Sequence, residues 1–172
     1  MRLFHVSEEP DIRVFYPRLP TRTDLKQNVG LVWAIDEERL PNFLTPRECP
    51  RVTYYTYEQT SDSDKTKFFS SKSISHAVVI ENSWFDIMKN TTLYLYEFNP
   101  NSFVLQDAVA GYYTAMKTQY PIRKYVLTDL FDELSKRNVE VRITDNLPKI
   151  AEQVKSSTLK WSLCKMQNCR YQ

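Results

Sequence analysis

The sequence predicts an α+β fold, a single domain with a mixed or mostly antiparallel sheet and flanking short helices. The chain has 172 residues, 42% of them hydrophobic and 26% charged, which suits one domain with one core. Strand-like segments dominate the first half, and strands then alternate with helices. This order is typical of α+β proteins and not of a regularly wound parallel sheet. We therefore treat 1–172 as one α+β domain.

The first half of the chain carries mainly strand signals. Residues 7–29, with Pro10, Pro17 and Pro20, predict a long irregular loop, and loops of this length are often functional. Asp36 can cap a short helical turn over 37–44, which Pro41 weakens. Residues 58–75 predict a loop or a short helix capped near Ser61 or Asp62. The strands predicted here are 3–6, 31–35, 52–57 and 76–80.

The second half adds helices. Residues 82–89 predict a short helix, and 92–98 predict a central strand because both of its faces are mainly apolar. Apolar residues at i, i+3, i+4 and i+7 predict a helix over 127–137. Asn146 and Pro148 open a further helix. The remaining predicted strands are 110–116, 123–126, 139–143 and 159–163.

Glycine is scarce, and this excludes several phosphate-binding motifs. The chain has only Gly30 and Gly111, whereas a P-loop needs two glycines within six residues and a dinucleotide-binding turn needs three. A GxSxG nucleophile turn is also absent. Any bound phosphate must therefore be held by side chains and not by a glycine-lined backbone.

The compartment and the charge can be predicted only coarsely. Glu8 and Glu9 precede any apolar stretch, three cysteines form no CxxC pair, and no apolar run could span a membrane, so we expect a cytoplasmic protein without membrane contact. The net charge is +2. The C-terminal segment 155–172 contains four basic residues and no acidic one. It could contact nucleic acid, although a solvated tail explains the same charges.

The segment Leu44–Arg51 is the least ordinary in the chain. Pro46 and Pro50 stiffen it, so Arg47 and Arg51 could be presented together to a phosphate or carboxylate. A purely structural alternative has the two arginines pairing with nearby glutamates while the prolines shape a turn.

The histidines, cysteines and tyrosines allow both functional and structural interpretations. His5 and His76 lie in predicted strands with no HxH, HExxH or CxxC spacing, so we predict no metal site, although the two histidines and an acid could still assemble one from distant parts of the chain. Either histidine could serve a hydrolase together with Glu81, Glu97 or a thiol, or could simply be hydrogen-bonded in the core. The tyrosines of 54–57 and 112–113 could stack nucleobases, although packing within the sheet is the commoner role of aromatic residues in strands.

Three blocks of sequence carry a resemblance: LFHVSEEPDI at 3–12, GLVWAID at 30–36 and LTPRECPRVT at 44–53. Together with YEFNP and AGYY they resemble a conserved bacterial family of unknown function. The likeness covers most of the chain. It implies no activity, because none is assigned to the family.

A wider resemblance is to the ADP-ribosyltransferase superfamily. Its members begin with a strand whose histidine, in a context like LFHVS, holds the NAD ribose. An aromatic residue on the second strand then packs on nicotinamide. His5 and Trp33 match these two positions. The family's later glutamate has no counterpart, because the strand at 110–118 offers Lys117 and no acid, which puts catalysis in doubt.

The sequence therefore favours an ADP-ribosyltransferase-like domain that binds NAD or another anionic nucleotide, with His5 as the candidate catalytic residue. The candidate cofactor-binding residues are His5, Trp33, Arg47 and Arg51. Two alternatives are a non-enzymatic module that binds protein or nucleic acid, and a hydrolase that uses His5 or His76.

Overall fold

The computed structural model describes residues 1–19 and 28–170. Within them it has ten strands and four α-helices, which form two mostly antiparallel sheets and confirm the α+β class. The elements are, in order, β1 (Leu3–Ser7), β2 (Val32–Asp36), β3 (Arg51–Tyr55), α1 (Asp62–Phe68), β4 (His76–Glu81), α2 (Phe85–Asn90), β5 (Leu93–Phe98), β6 (Val104–Asp107), β7 (Tyr112–Ala115), β8 (Arg123–Leu127), α3 (Leu130–Lys136), β9 (Val139–Thr144), α4 (Leu147–Lys155) and β10 (Lys160–Cys164). Short 3-10 helices cover Leu40–Phe43, Asn82–Trp84, Pro100–Ser102 and Met166–Asn168.

The chain divides into two compact units. Unit 1 comprises Met1–Leu40 and Leu93–Leu127, and unit 2 comprises Pro41–Thr92 and the chain from Thr128 onward. Unit 1 contains a six-stranded antiparallel sheet in the order β6-β7-β2-β1-β5-β8. Unit 2 contains the four α-helices and a sheet in the order β10-β3-β4-β9, in which β4 and β9 are parallel. The sequence predicts most of these strands but not their division between two sheets.

One face of the unit 1 sheet carries a buried apolar cluster, because alternate residues of each strand point to the same side. Phe15, from the segment after β1, packs edge-on against Tyr96 and Phe98, with ring centroids 5.3 and 4.9 Å away. The first part of the predicted 7–29 loop therefore lies on the sheet. Residues 20–27 of that loop, including Pro20, lie outside the described residues. The cluster consists of Leu3, Phe15, Val32, Ala34, Tyr96, Phe98, Phe103 and Ala115.

Side-chain caps set the starts of three helices in unit 2. Ser61 Oγ accepts from the Asp64 amide at 3.1 Å, which confirms the short helix predicted near Ser61. Asp129 and Asn146 cap α3 and α4 in the same way. Helix α3 begins at Leu130, later than predicted. Leu127 pairs with Leu93 across β8 and β5, so its backbone hydrogen-bonding groups already serve the sheet.

Two elements differ from the sequence prediction. The turn expected over 37–44 is a 3-10 helix over Leu40–Phe43 only, as Pro41 implies. Strand β6 has no counterpart in the prediction. All four of its residues are exposed at the edge of the unit 1 sheet, so no alternation of buried and exposed residues marks it in the sequence.

Candidate functional site

A surface groove of about 330 Å³ lies within unit 1. Residues 10–13 and 121–124 line it, together with Tyr96 of β5. Each of the two lining segments contains a proline, Pro10 and Pro121, and the proline ring fixes its own φ. The volume lies within the range of small-molecule sites in proteins.

The groove is held in shape by hydrogen bonds to the backbone of its first segment. The Tyr96 hydroxyl donates to the Glu9 carbonyl at 2.6 Å and accepts from the Ile12 amide at 3.1 Å. Lys124 Nζ donates to the Pro10 carbonyl at 2.8 Å and so ties the two segments together. A ligand would therefore meet walls that need little further ordering.

The charges that line the groove are mainly positive. They come from Arg13 and Lys124, against one carboxylate on Asp11, which lies 3.5 Å from Lys124 Nζ. Arg123 also lines the groove, but it pairs with Glu97, and its guanidinium donates to the Tyr125 hydroxyl at 3.3 Å on the opposite face of the sheet. Arg13 is exposed and forms no hydrogen bond or ion pair with any residue that the structure describes. A guanidinium with its donors unused, beside a lysine, suits a phosphate or carboxylate ligand.

His5 is a direct neighbour of this groove in the sheet. It pairs in register with Tyr96, its imidazole lies 4.9 Å from the Phe15 ring, and it is half-buried. Nδ1 lies 3.2 Å from the Trp33 carbonyl oxygen. Because a carbonyl can only accept, this contact requires the proton on Nδ1, and a neutral His5 has its lone pair on Nε2.

The Trp33 indole lies on the opposite face of the sheet from His5. Phe4 pairs with Ile35 across β1 and β2, so His5 shares a face with Ala34 and not with Trp33. The indole packs edge-on against Tyr112, with ring centroids 5.5 Å apart. The register and contacts of these strands therefore join His5 to the Trp33 backbone carbonyl and place the indole on the other face.

Glu97 also lies on the face opposite His5, because it pairs with Phe4. Its carboxylate accepts from Arg2 Nε at 2.9 Å and from the Tyr125 hydroxyl at 2.7 Å. The hydrogen bond from Arg2 is the main cause that lowers the pKa of Glu97 to about 2. A general acid or base works best with a pKa near the operating pH, so this carboxylate has the properties of a structural ion pair.

The arginines of the Leu44–Arg51 loop belong to unit 2, and they differ sharply in burial. Arg51 is 6% exposed. Its guanidinium donates to the backbone carbonyls of Asn42 at 2.7 Å and Cys49 at 3.2 Å. Arg47 is exposed; the hydrogen bond from Lys165 is the main cause that lowers the pKa of Glu48, and the charge of Arg47 adds to it. The structure therefore commits Arg51 to the internal support of the loop.

His76 and Cys49 are also internal groups of unit 2. His76 is buried, and its Nε2 lies 2.7 Å from Asn42 Oδ1. Burial raises the pKa of Cys49 to about 12, so its thiol stays protonated and unreactive. Glu81 is buried and accepts from the Arg170 amide at 3.1 Å. The burial and hydrogen bonds of these residues agree with a structural role in the core, the alternative to a hydrolase site.

The basic C-terminal segment is partly neutralised. Lys155 pairs with Glu152 at 2.8 Å, and Lys165 pairs with Glu48 at 2.9 Å. Lys160 Nζ lies 4.6 Å from the centre of the Tyr57 ring. Much of this positive charge therefore already has a protein partner, which leaves less of it for a phosphate backbone.

Arg13, Lys124 and Tyr96 are not among the residues predicted from the sequence. The signal that could have found them is a proline followed within a few residues by an arginine, as in 44–51, since Pro10 precedes Arg13 and Pro121 precedes Arg123. The hydrogen bond from Lys124 Nζ to the Pro10 carbonyl, which joins the two lining segments, is a long-range contact that no local pattern reveals.

A family model described as a family of unknown function (DUF6886) matches residues 4–169. No curated protein and no solved structure matches the chain. Among the described residues, no group of three or more His, Cys, Asp or Glu side chains could hold a metal ion. The same residues include no helix long and apolar enough to span a membrane.

Proposed function

Since the chain belongs to a family of unknown function (DUF6886), we propose a function from its own residues: unit 1 binds an anionic small molecule of the nucleotide class. The observation that carries the proposal is Arg13, a guanidinium without a partner among the described residues, in a groove that Lys124 also lines. No ion pair with a described residue has to be broken when an anion binds to such a group. The proposed function is binding of this ligand, without a catalytic step.

Apolar groups in the same groove support a ligand that is more than a bare anion. Ile12, Ile122 and Pro121 line it beside the charged residues. A nucleotide has this division, with a flat apolar base and a phosphate that needs cations. Because the chain lacks a glycine-rich loop, the proposed grip on phosphate is by side chains alone.

NAD is one member of this class, and the resemblance of LFHVS to the ADP-ribosyltransferases makes it the first to test. We propose His5 as a further contact, because it pairs with Tyr96, which lines the groove. Trp33 and Arg47 stay separate proposals, to be tested by their own alanine variants. Arg51 is not included, since its guanidinium donates to backbone carbonyls.

We also propose that the protein acts in the cytoplasm. Cys49, Cys164 and Cys169 are all free thiols, and unpaired cysteines of this kind support a reducing compartment.

A thermal-shift panel tests the binding proposal. NAD, ADP-ribose, ATP and inorganic phosphate are each added at millimolar concentration to the wild-type protein. A ligand present at one hundred times its Kd stabilises the folded state by about 2.7 kcal/mol, which is a shift of several degrees. We expect at least one nucleotide to give such a shift and phosphate to give a smaller one.

The matched variants are the double substitutions R13A/K124A and K72A/K89A, each of which removes two positive charges. Lys72 and Lys89 are exposed residues of unit 2. The groove variant should lose the nucleotide shift and the control should keep it. Absence of any shift with the wild-type protein, or an equal loss in both variants, would rule the groove out as the site.

A further inference from the structure

Two Tyr-Pro dipeptides flank the groove in sequence, Tyr16-Pro17 after its first lining segment and Tyr120-Pro121 at the start of its second. The backbone brings them together. Phe15 and Gln119 exchange both of their amide hydrogen bonds, at 2.9 Å each, as an antiparallel bridge. Each tyrosine is therefore the residue that follows one partner of this bridge.

Both tyrosine side chains point to solvent. Phe15 and Gln119 are 8% and 7% exposed, and the next residues in an extended chain point to the other side. Tyr16 and Tyr120 are accordingly 61% and 65% exposed. Their positions are separated by roughly 7 Å along the bridge, which is two residues of extended chain.

The tyrosines are held in place before any ligand arrives. A residue that precedes proline is restricted to extended conformations, and both tyrosines precede one. The bridge is fixed further by Gln119, whose side chain accepts from Ser102 Oγ at 2.9 Å and donates to the Lys117 carbonyl at 3.0 Å. Exposed aromatic rings on a restricted backbone bind flat partners with a smaller loss of entropy than rings on a free chain.

The two segments that carry these tyrosines are also basic. Residues 10–19 and 116–124 carry Arg13, Arg18, Lys117, Arg123 and Lys124, and their only acidic residue is Asp11. All five basic side chains are exposed. Exposed aromatic rings on a basic surface are the combination that binds single-stranded nucleic acid, since the rings stack on bases and the cations follow the phosphates.

We propose that the ligand of unit 1 is a single-stranded nucleic acid. One nucleotide occupies the groove, while Tyr16 and Tyr120 stack on neighbouring bases. This inference rests on the proposed function, because it extends the nucleotide site along a strand. It places the nucleic-acid surface on unit 1 and not on the basic C-terminal segment.

Fluorescence anisotropy with labelled oligo-U and oligo-dT of about ten nucleotides tests this, since sites of this kind cover roughly 4–16 nucleotides. We expect both strands to bind more tightly than the matching mononucleotide. The logarithm of affinity should fall with the logarithm of salt concentration with a slope of about −2 to −3, from three or four phosphate contacts at roughly 0.7 each.

The decisive variants are Y16A/Y120A and its aromatic control Y16F/Y120F. Loss of base stacking should weaken oligonucleotide binding roughly tenfold or more, whereas the phenylalanine variant should bind as the wild type does. Both positions are exposed, and circular dichroism checks that both variants fold. Binding of the mononucleotide in the groove should change little in either variant.

Each other outcome overturns the inference. These are oligonucleotide binding no tighter than that of the mononucleotide, equal binding by the alanine and phenylalanine variants, or preference for anionic lipid vesicles over either strand. If the mononucleotide still shifts the melting temperature through Arg13 and Lys124, the proposed function survives that failure. If neither ligand binds, both proposals fall together.

Discussion

Two proline-containing segments of this chain carry arginines, and the two guanidinium groups differ in burial and in hydrogen bonding. In unit 2, the Arg51 guanidinium is buried and donates to carbonyl oxygens of its own loop. In unit 1, Arg13 is exposed beside a groove and has no hydrogen bond or ion pair within the described residues. A nearby proline therefore indicates that the backbone beside an arginine is restricted. It does not indicate whether the guanidinium bonds within the protein or stays exposed.

The reason lies in what surrounds each side chain. A buried backbone carbonyl must find a donor, and an arginine offers five. Around Arg51 two such carbonyls, those of Asn42 and Cys49, take them up. Around Arg13 the backbone groups of Glu9 and Ile12 are already satisfied by the Tyr96 hydroxyl. Its guanidinium has no partner among the described residues.

The largest expected effect comes from R51A. Removing the guanidinium leaves two buried carbonyls without a donor. We therefore expect the free energy of unfolding, measured in urea, to fall by about 3 kcal/mol. R47A, an exposed neighbour in the same loop, should change stability by less than about 0.5 kcal/mol. A stable R51A protein with weakened anion binding would reverse the comparison between the two units.

E97Q should have the next largest effect, on unit 1. The wild-type carboxylate, held by Arg2 and Tyr125, has a pKa of about 2, below the ordinary value near 4.3. Between these two pH values the unfolded chain binds more protons than the folded chain does. The contribution of Glu97 to the free energy of unfolding is therefore full above about pH 4.5 and is lost as the pH falls toward 2.

We expect E97Q to cost about 2 kcal/mol at pH 7, and the difference from the wild type to shrink as the pH is lowered through that window. Urea midpoints measured at several pH values check this. A difference that stays constant down to pH 2 would contradict the ionic role of Glu97.

G111A should destabilise unit 1 by about 1–2 kcal/mol. Gly111 has a φ of +67°, and an added Cβ would lie 2.6 Å from Arg39 Cγ and 2.8 Å from Asp36 Oδ1. The G30A variant is the matched comparison. Its Cβ would meet backbone atoms at 3.1 Å without a positive φ, and we expect a smaller loss. Melting temperatures of the two variants decide the order.

Much of the fold can be predicted from the sequence, because helix caps and apolar periodicity are local. Ser61, Asp129 and Asn146 mark helix starts through their own side chains. Strand β5 shows its central position through two apolar faces. Exposed β6 gives no such signal, and the separation into two sheets depends on long-range pairing that composition does not encode.

The candidate site is less predictable for the same reason. His5 is recognisable from its strand, but its place beside Tyr96 depends on the pairing of β1 with β5, residues that are far apart in the chain. Trp33 is one residue out of phase with Ala34, which is enough to put its side chain on the other face. The sequence predicts Arg51 as an anion-binding residue because no sequence pattern shows that the backbone carbonyls of Asn42 and Cys49 accept from its guanidinium.

Calorimetric titration of ADP-ribose or ATP, whichever gives the larger thermal shift, into the R13A and R47A proteins tests most directly whether the groove of unit 1 is the binding site. We expect R13A to weaken binding about tenfold, which is 1.4 kcal/mol, and R47A to bind as the wild type does. Each variant removes one exposed arginine, so they match in charge. Weakened binding in R47A with unchanged binding in R13A would contradict the account and return the site to the Leu44–Arg51 loop.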